Sequence, residues 1–92
     1  MIRKRVTVHG EVQGVGFRFH TQATATKLGI SGVVRNLPDG SVEAEIEAEQ
    51  EVVDRMLAWL REGPTWSKVG SVDVVDLEPT GERGFVIDQS FG

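Results

Sequence analysis

The chain contains no cysteine, no tyrosine and only three prolines in 92 residues. Without cysteine there is no disulfide, no thiolate-ligated zinc and no thiol nucleophile. A cysteine-free chain suits a reducing compartment, and a cytoplasmic location is expected. Residues 1 to 5 are basic, but no apolar segment follows them, so a signal peptide is not expected. No hydrophobic run is long enough to span a membrane. Positive charge is also scarce. Ten Lys and Arg face fourteen Asp and Glu, giving a formal net charge of −4. Nucleic-acid affinity rests on a basic face, and single-strand binding on aromatic platforms. Neither nucleic acid nor membrane is therefore an expected partner. The two histidines, His9 and His20, have no close third ligand in the sequence, which argues against a metal site.

What remains is globular. Hydrophobic residues make up 39% and charged residues 26% of the chain, enough for a single domain over residues 1–92 with one modest core. No repeat, linker or low-complexity tract is visible. Residues 2 to 9 alternate, with Ile2, Lys4, Val6 and Val8 on one face and Arg3, Arg5, Thr7 and His9 on the other. That is the pattern of a half-buried strand. From Phe17 the period changes: Phe17, Thr21, Ala25 and Leu28 form a helical stripe, and Gly29 stands where a C-capping glycine belongs.

Ile30 to Asn36 reads as a second strand, and Leu37-Pro38-Asp39-Gly40 as a turn. Ser41 to Ala48 alternates again, with Glu43, Glu45 and Glu47 on a face expected to be solvated. Residues 49 to 62 carry Val53, Met56, Leu57 and Leu60 at helical spacing, and Gly63-Pro64 ends that helix. Trp59 and Trp66 flank its end and are expected to pack there. Residues 69 to 77 form a strand with a bulge near Gly70 or Val74-Val75. Pro79 to Gly84 reads as a polar turn, and Phe85 to Asp88 as a short last strand. This β-α-β-β-α-β order with one extra strand predicts an α+β, ferredoxin-like sandwich: an antiparallel sheet with two helices on one face. In that fold the first and third strands are neighbours, which brings Arg3 and Arg5 opposite Glu43, Glu45 and Glu47.

The connection from the first strand to the first helix is the leading candidate for chemistry. Gly10, Gly14 and Gly16 precede Arg18 within nine residues. A loop with so little side-chain bulk can turn its N–H groups inward as an anion cradle. A helix N-terminus adds its positive dipole, and an arginine its planar, permanently charged fork. The loop is neither a dinucleotide fingerprint nor a Walker loop. Its residues fit a phosphate site, and equally a tight β-to-α connection with an exposed arginine. Asn36 has two readings as well: an Asx-turn former, or an amide that orients water by donating and accepting together. No pair of carboxylates stands out as an acid and a nucleophile.

Two segments carry a family resemblance. Val8-x-Gly10-x-Val12-Gln13-Gly14-Val15-x-Phe17-Arg18 resembles the first motif of the acylphosphatases. Gly32-Val33-Val34-Arg35-Asn36-x-x-x-Gly40-x-Val42 is similar to the second. Val33, Ala48 and His20 depart from the usual pattern. The resemblance implies hydrolysis of the carboxyl–phosphate bond of a small acyl phosphate, giving a carboxylate and inorganic phosphate by direct attack of water on phosphorus. It implies that Arg18 binds the phosphate together with the backbone N–H groups of Gln13, Gly14, Val15, Gly16, Phe17 and Arg18 itself. Asn36 then positions the water. No cofactor, metal or covalent intermediate is implied. Phosphate and sulfate are expected to compete, and the chain is expected to act as a monomer. A non-catalytic anion-binding module is the alternative on the same fold. An RNA-binding sheet is disfavoured by Glu43, Glu45 and Glu47 and by the lack of strand aromatics.

Overall fold

The structure is a computed structural model that describes residues 1–89. The elements run β1 (Ile2–Glu11), α1 (Phe17–Leu28), β2 (Ser31–Asn36), β3 (Val42–Ala48), α2 (Gln50–Glu62), β4 (Lys68–Leu77) and β5 (Phe85–Asp88). They form one five-stranded sheet in the order β4-β1-β3-β2-β5. Strand β3 is central, and β1 lies between β3 and β4, antiparallel to both. Both helices lie on one face, with α1 against β2 and β5 and α2 against β1 and β4. No helix is long and apolar enough to cross a membrane.

The core lies between the helices and the sheet, where the periodicities place it. Val6, Val8, Val34, Ala44 and Ile46 from the strands meet Phe17 and Ala25 of α1 and Val53, Met56 and Leu60 of α2. Burying a side chain of the size of Ile46, Met56 or Leu60 contributes about 1.5–3 kcal/mol. Thr21, in the α1 stripe, is fully buried, and its hydroxyl donates to the Phe17 carbonyl at 2.7 Å. That bond removes the cost of an unpaired hydroxyl in the core. The bulge falls at Gly70: pairing passes from His9 opposite Ser71 to Gly10 opposite Val69, leaving Gly70 without a partner position.

Three features depart from the sequence reading. Strand β5 joins the β2 edge in parallel, so the sheet is antiparallel through four strands and mixed at one edge. The cause is the segment of residues 78–84. It leaves β4 on one edge and crosses the helix-free face to reach the opposite edge. That crossing produces the second departure, because the helix-free face is not simply solvated. Arg3 and Glu47 are both buried there. Arg3 lies opposite Glu47 and Arg5 opposite Glu45 in the β1–β3 register. Glu47 also accepts the N–H groups of Thr80 at 2.8 Å and Gly81 at 3.0 Å, both from the crossing segment. On the same face Arg35 pairs with Glu43 and with Asp88. The third departure is Trp66, which is 83% exposed. Only Trp59 packs as expected, 5.9 Å from the Phe17 ring.

Candidate active site

The loop between β1 and α1 depends on two glycines at φ 76°. Gly14 and Gly16 occupy left-handed geometry that side chains with a Cβ resist. Gly16 is also the N-cap of α1, with no side chain to cap the helix. The N–H groups of a helix's first turn have no intrahelical acceptor. The first backbone bond to close here is His20 N–H to Gly16 O, at 3.0 Å. The positive end of the α1 dipole thus meets the loop where Gly14, Gly16, Phe17 and Arg18 line a cavity of about 200 Å³.

Asn36 lines the same cavity from the end of β2 and is 8% exposed. The residues expected at the site therefore converge from two elements, with two exceptions. The Val15 side chain packs against the core. The Gln13 side chain reaches the β2–β3 turn, where its Nε2 donates to the carbonyls of Leu37 at 2.8 Å and Ser41 at 2.9 Å. Neither side chain lines the cavity, so these two residues can offer it only backbone. The turn itself is closed by Leu37 N–H to Ser41 O at 2.9 Å and Gly40 N–H to Leu37 O at 3.1 Å. Asp39 accepts the hydroxyl and the N–H of Ser41, and these two bonds hold its carboxyl below the usual carboxylate range.

Other lining residues, apart from Val12 of the glycine-rich motif, carry no local signal in the sequence. Val12, Phe19 and Ile87 supply apolar surface, and Gln89 a further amide. Ile87 and Gln89 arrive because β5 adds alongside β2 with Arg35 opposite Asp88, which sets Gln89 beside the end of β2. Phe19 lies off the buried stripe of α1 and is 65% exposed. Its ring stands edge-on to His20, with centroids 5.5 Å apart. Among the described residues no three His, Asp or Glu side chains gather as metal ligands would.

A helix N-terminus, a glycine loop, an arginine and a buried amide around one small cavity suit a tetrahedral anion and a water beside it. Comparison with known proteins shows the family. The family model described as Acylphosphatase matches residues 4–87. An acylphosphatase of Trichormus variabilis is 49% identical over 87 residues, covering 95% of this chain and 86% of the relative. An acylphosphatase of Thermococcus kodakarensis is 45% identical over 86 residues, covering 94% of each. The crystal structure of acylphosphatase from Bacillus subtilis matches with a TM-score of 0.91 at 34% identity, over 96% of this chain and 99% of that one. With its fold and most of its length shared with these proteins, the chain belongs to the acylphosphatase family.

Proposed function

We propose that the chain hydrolyses acyl phosphates to a carboxylate and inorganic phosphate, with the β1–α1 loop and Arg18 holding the phosphoryl group and Asn36 orienting the attacking water. The observation that carries this reading is that Arg18 and Asn36, on different elements, line one cavity. The transition state of phosphoryl transfer spreads charge over three equatorial oxygens, and catalysis is mostly positioning and electrostatic stabilisation. Loop amides and a guanidinium fork meet that need without reorganising during the reaction. The Asn36 carbonyl oxygen accepts a hydrogen of the water, which turns a lone pair toward phosphorus.

Water oxygen forms the new bond to phosphorus as the bond to the acyl oxygen breaks; that oxygen leaves with the bonding pair, and the water's protons stay on the inorganic phosphate or pass from it to solvent. The leaving group is a carboxylate, whose conjugate acid has a pKa of about 4 like a glutamic acid side chain. It departs as an anion and requires no proton donor, and among the described residues none of the side chains lining the cavity is a carboxyl or a histidine. With the phosphoryl group at the loop, the acyl part lies against Phe19 and Ile87.

In the same reading the chain acts as a cytoplasmic monomer, one domain over residues 1–92, and phosphate and sulfate compete for the loop. The lack of cysteine supports that compartment. The test is release of inorganic phosphate from acetyl phosphate and benzoyl phosphate in excess EDTA. Turnover that persists in chelator supports the reading. No turnover of either compound, or turnover abolished by chelator, overturns it.

A further inference from the structure

We propose that the Gln13 side chain is a positioning residue that fixes the phosphate loop against Asn36. The inference rests on the reading above, in which loop and Asn36 hold the phosphoryl group and the water. The ladder between β1 and β3 runs from Ile2 opposite Ala48 to Val8 opposite Val42, and goes no further toward the loop. Strand β2, which carries Asn36, is not a neighbour of β1 at all, because β3 lies between them. Backbone pairing therefore does not set the loop relative to the end of β2.

Gln13 bridges that gap. Its amide nitrogen carries two hydrogens, and both are committed to one turn, to Leu37 O and Ser41 O. Leu37 directly follows Asn36. The two carbonyls are held in place by the turn's own Leu37–Ser41 and Gly40–Leu37 bonds. Asp39 braces the turn from its other side through the Ser41 N–H, at 2.9 Å. The loop is thus pinned to a turn that is closed by its own hydrogen bonds. A productive constellation must be held to within roughly 0.5 Å, and a 1 Å misplacement costs about 10²-fold in rate. Loss of the pin therefore acts on the alignment of water and phosphorus, while the loop's amides and Arg18 still bind the anion.

The experiment uses Gln13→Met, which keeps length but donates nothing, and Gln13→Glu, which turns a carboxylate oxygen toward two carbonyls. Each is made alone and combined with Asn36→Ala. For acetyl phosphate, each Gln13 variant is expected to lower kcat roughly 10- to 100-fold and to leave the Ki of inorganic phosphate unchanged. In the Asn36→Ala background the same substitutions are expected to lower kcat no further, as coupled residues in one network should behave. Wild-type kcat in the Gln13→Met variant overturns the proposal. So does an equal loss of kcat in both backgrounds, or a Ki that rises in step with the fall in kcat, which marks a collapsed loop. Melting followed by circular dichroism identifies a variant that is unfolded at the assay temperature. Gln13→Asn, which keeps its donors but falls short of the turn, then replaces it with the same expectations. Normal turnover by Asn36→Ala alone overturns both this proposal and the role of Asn36. An impaired Asn36→Ala with additive Gln13 effects overturns only this one.

Discussion

Arg3 Nη1 stands 3.0 Å from Glu47 Oε1 across the β1–β3 pair, with both side chains withdrawn from water on the face of the sheet that has no helices. Arg3 also donates to Glu45 Oε1, from Nη2 at 3.0 Å and from Nε at 3.2 Å. Glu47 receives backbone donors from Thr80 and Gly81 in addition. A buried ion pair stabilises only when its remaining hydrogen-bonding capacity is met, and here the crossing segment meets it.

Glu47 makes the fold acid-sensitive in a defined direction. The Thr80 N–H bond first, then the Gly81 N–H and Arg3, outweigh burial and hold the Glu47 carboxyl below its ordinary value. A carboxyl whose pKa is lower in the folded state stabilises the fold above its unfolded value, about 4.3. That stabilisation fades as pH falls through the lowered folded value. Glu47→Gln is therefore expected to be less stable than the parent at pH 7, with the gap closing as pH falls below about 4.3. Urea unfolding of both proteins across this range checks it. A gap that stays constant into acid would assign the effect to shape rather than charge.

What the sequence makes legible follows from contiguity. Helix α1 is expected and found over Phe17–Leu28, because its stripe and its C-capping Gly29 lie within one short segment. Likewise Gly14, Gly16 and Arg18 stand out as a candidate anion loop because they are neighbours in the chain. The crossing segment is not legible in this way. Polar residues from Pro79 to Gly84 indicate exposure but not which face they cross, so the burial of Glu47 is hidden in a strand that alternates like a solvated one. The parallel placement of β5 depends on the same crossing. It brings Ile87 and Gln89 to a cavity whose other walls lie far away in sequence. The Gln13 bonds are equally invisible, since both acceptors are backbone carbonyls of a turn.

Replacing Arg18 removes both charge and fork from the loop. Removal of one preorganised donor typically costs about 10²–10³-fold in rate. Arg18→Ala is expected to lose at least that much in kcat/KM for acetyl phosphate and to lose phosphate binding measured by calorimetry. Arg18→Lys retains a charge without the planar pair of donors, so it should recover part of the phosphate affinity and little of the turnover. Phosphate bound by Arg18→Ala as tightly as by the parent would place the anion elsewhere.

Asn36 is expected to separate binding from turnover in the opposite way. It is buried at the end of β2, and its proposed partner is the water rather than the phosphoryl oxygens. Asn36→Ala should therefore lower kcat while the Ki of inorganic phosphate stays near that of the parent. An interaction made chiefly in the transition state has this signature in mutant kinetics. A rise in Ki matching the fall in kcat would instead make Asn36 part of the anion cradle.

Phe19 tests which part of the substrate faces the mouth of the cavity. A large aromatic side chain left 65% exposed is unusual beside a polar site, and the His20 ring packed edge-on against it restrains its swing. If the loop holds the phosphoryl group, the acyl group projects toward this ring and Ile87. An aromatic acyl group can then stack on Phe19, an interaction worth about 0.5–1.5 kcal/mol beyond area burial. The methyl group of acetyl phosphate offers little surface to the same ring. Phe19→Ala is therefore expected to lower kcat/KM for benzoyl phosphate by roughly 2- to 10-fold, the same energy expressed as a ratio, with acetyl phosphate changed much less. Because Phe19 lies off the buried stripe of α1, the substitution leaves the core intact, and the melting temperature should stay close to that of the parent. Equal losses for the two substrates would mean that Phe19 shapes the phosphate loop rather than the acyl side of the cavity.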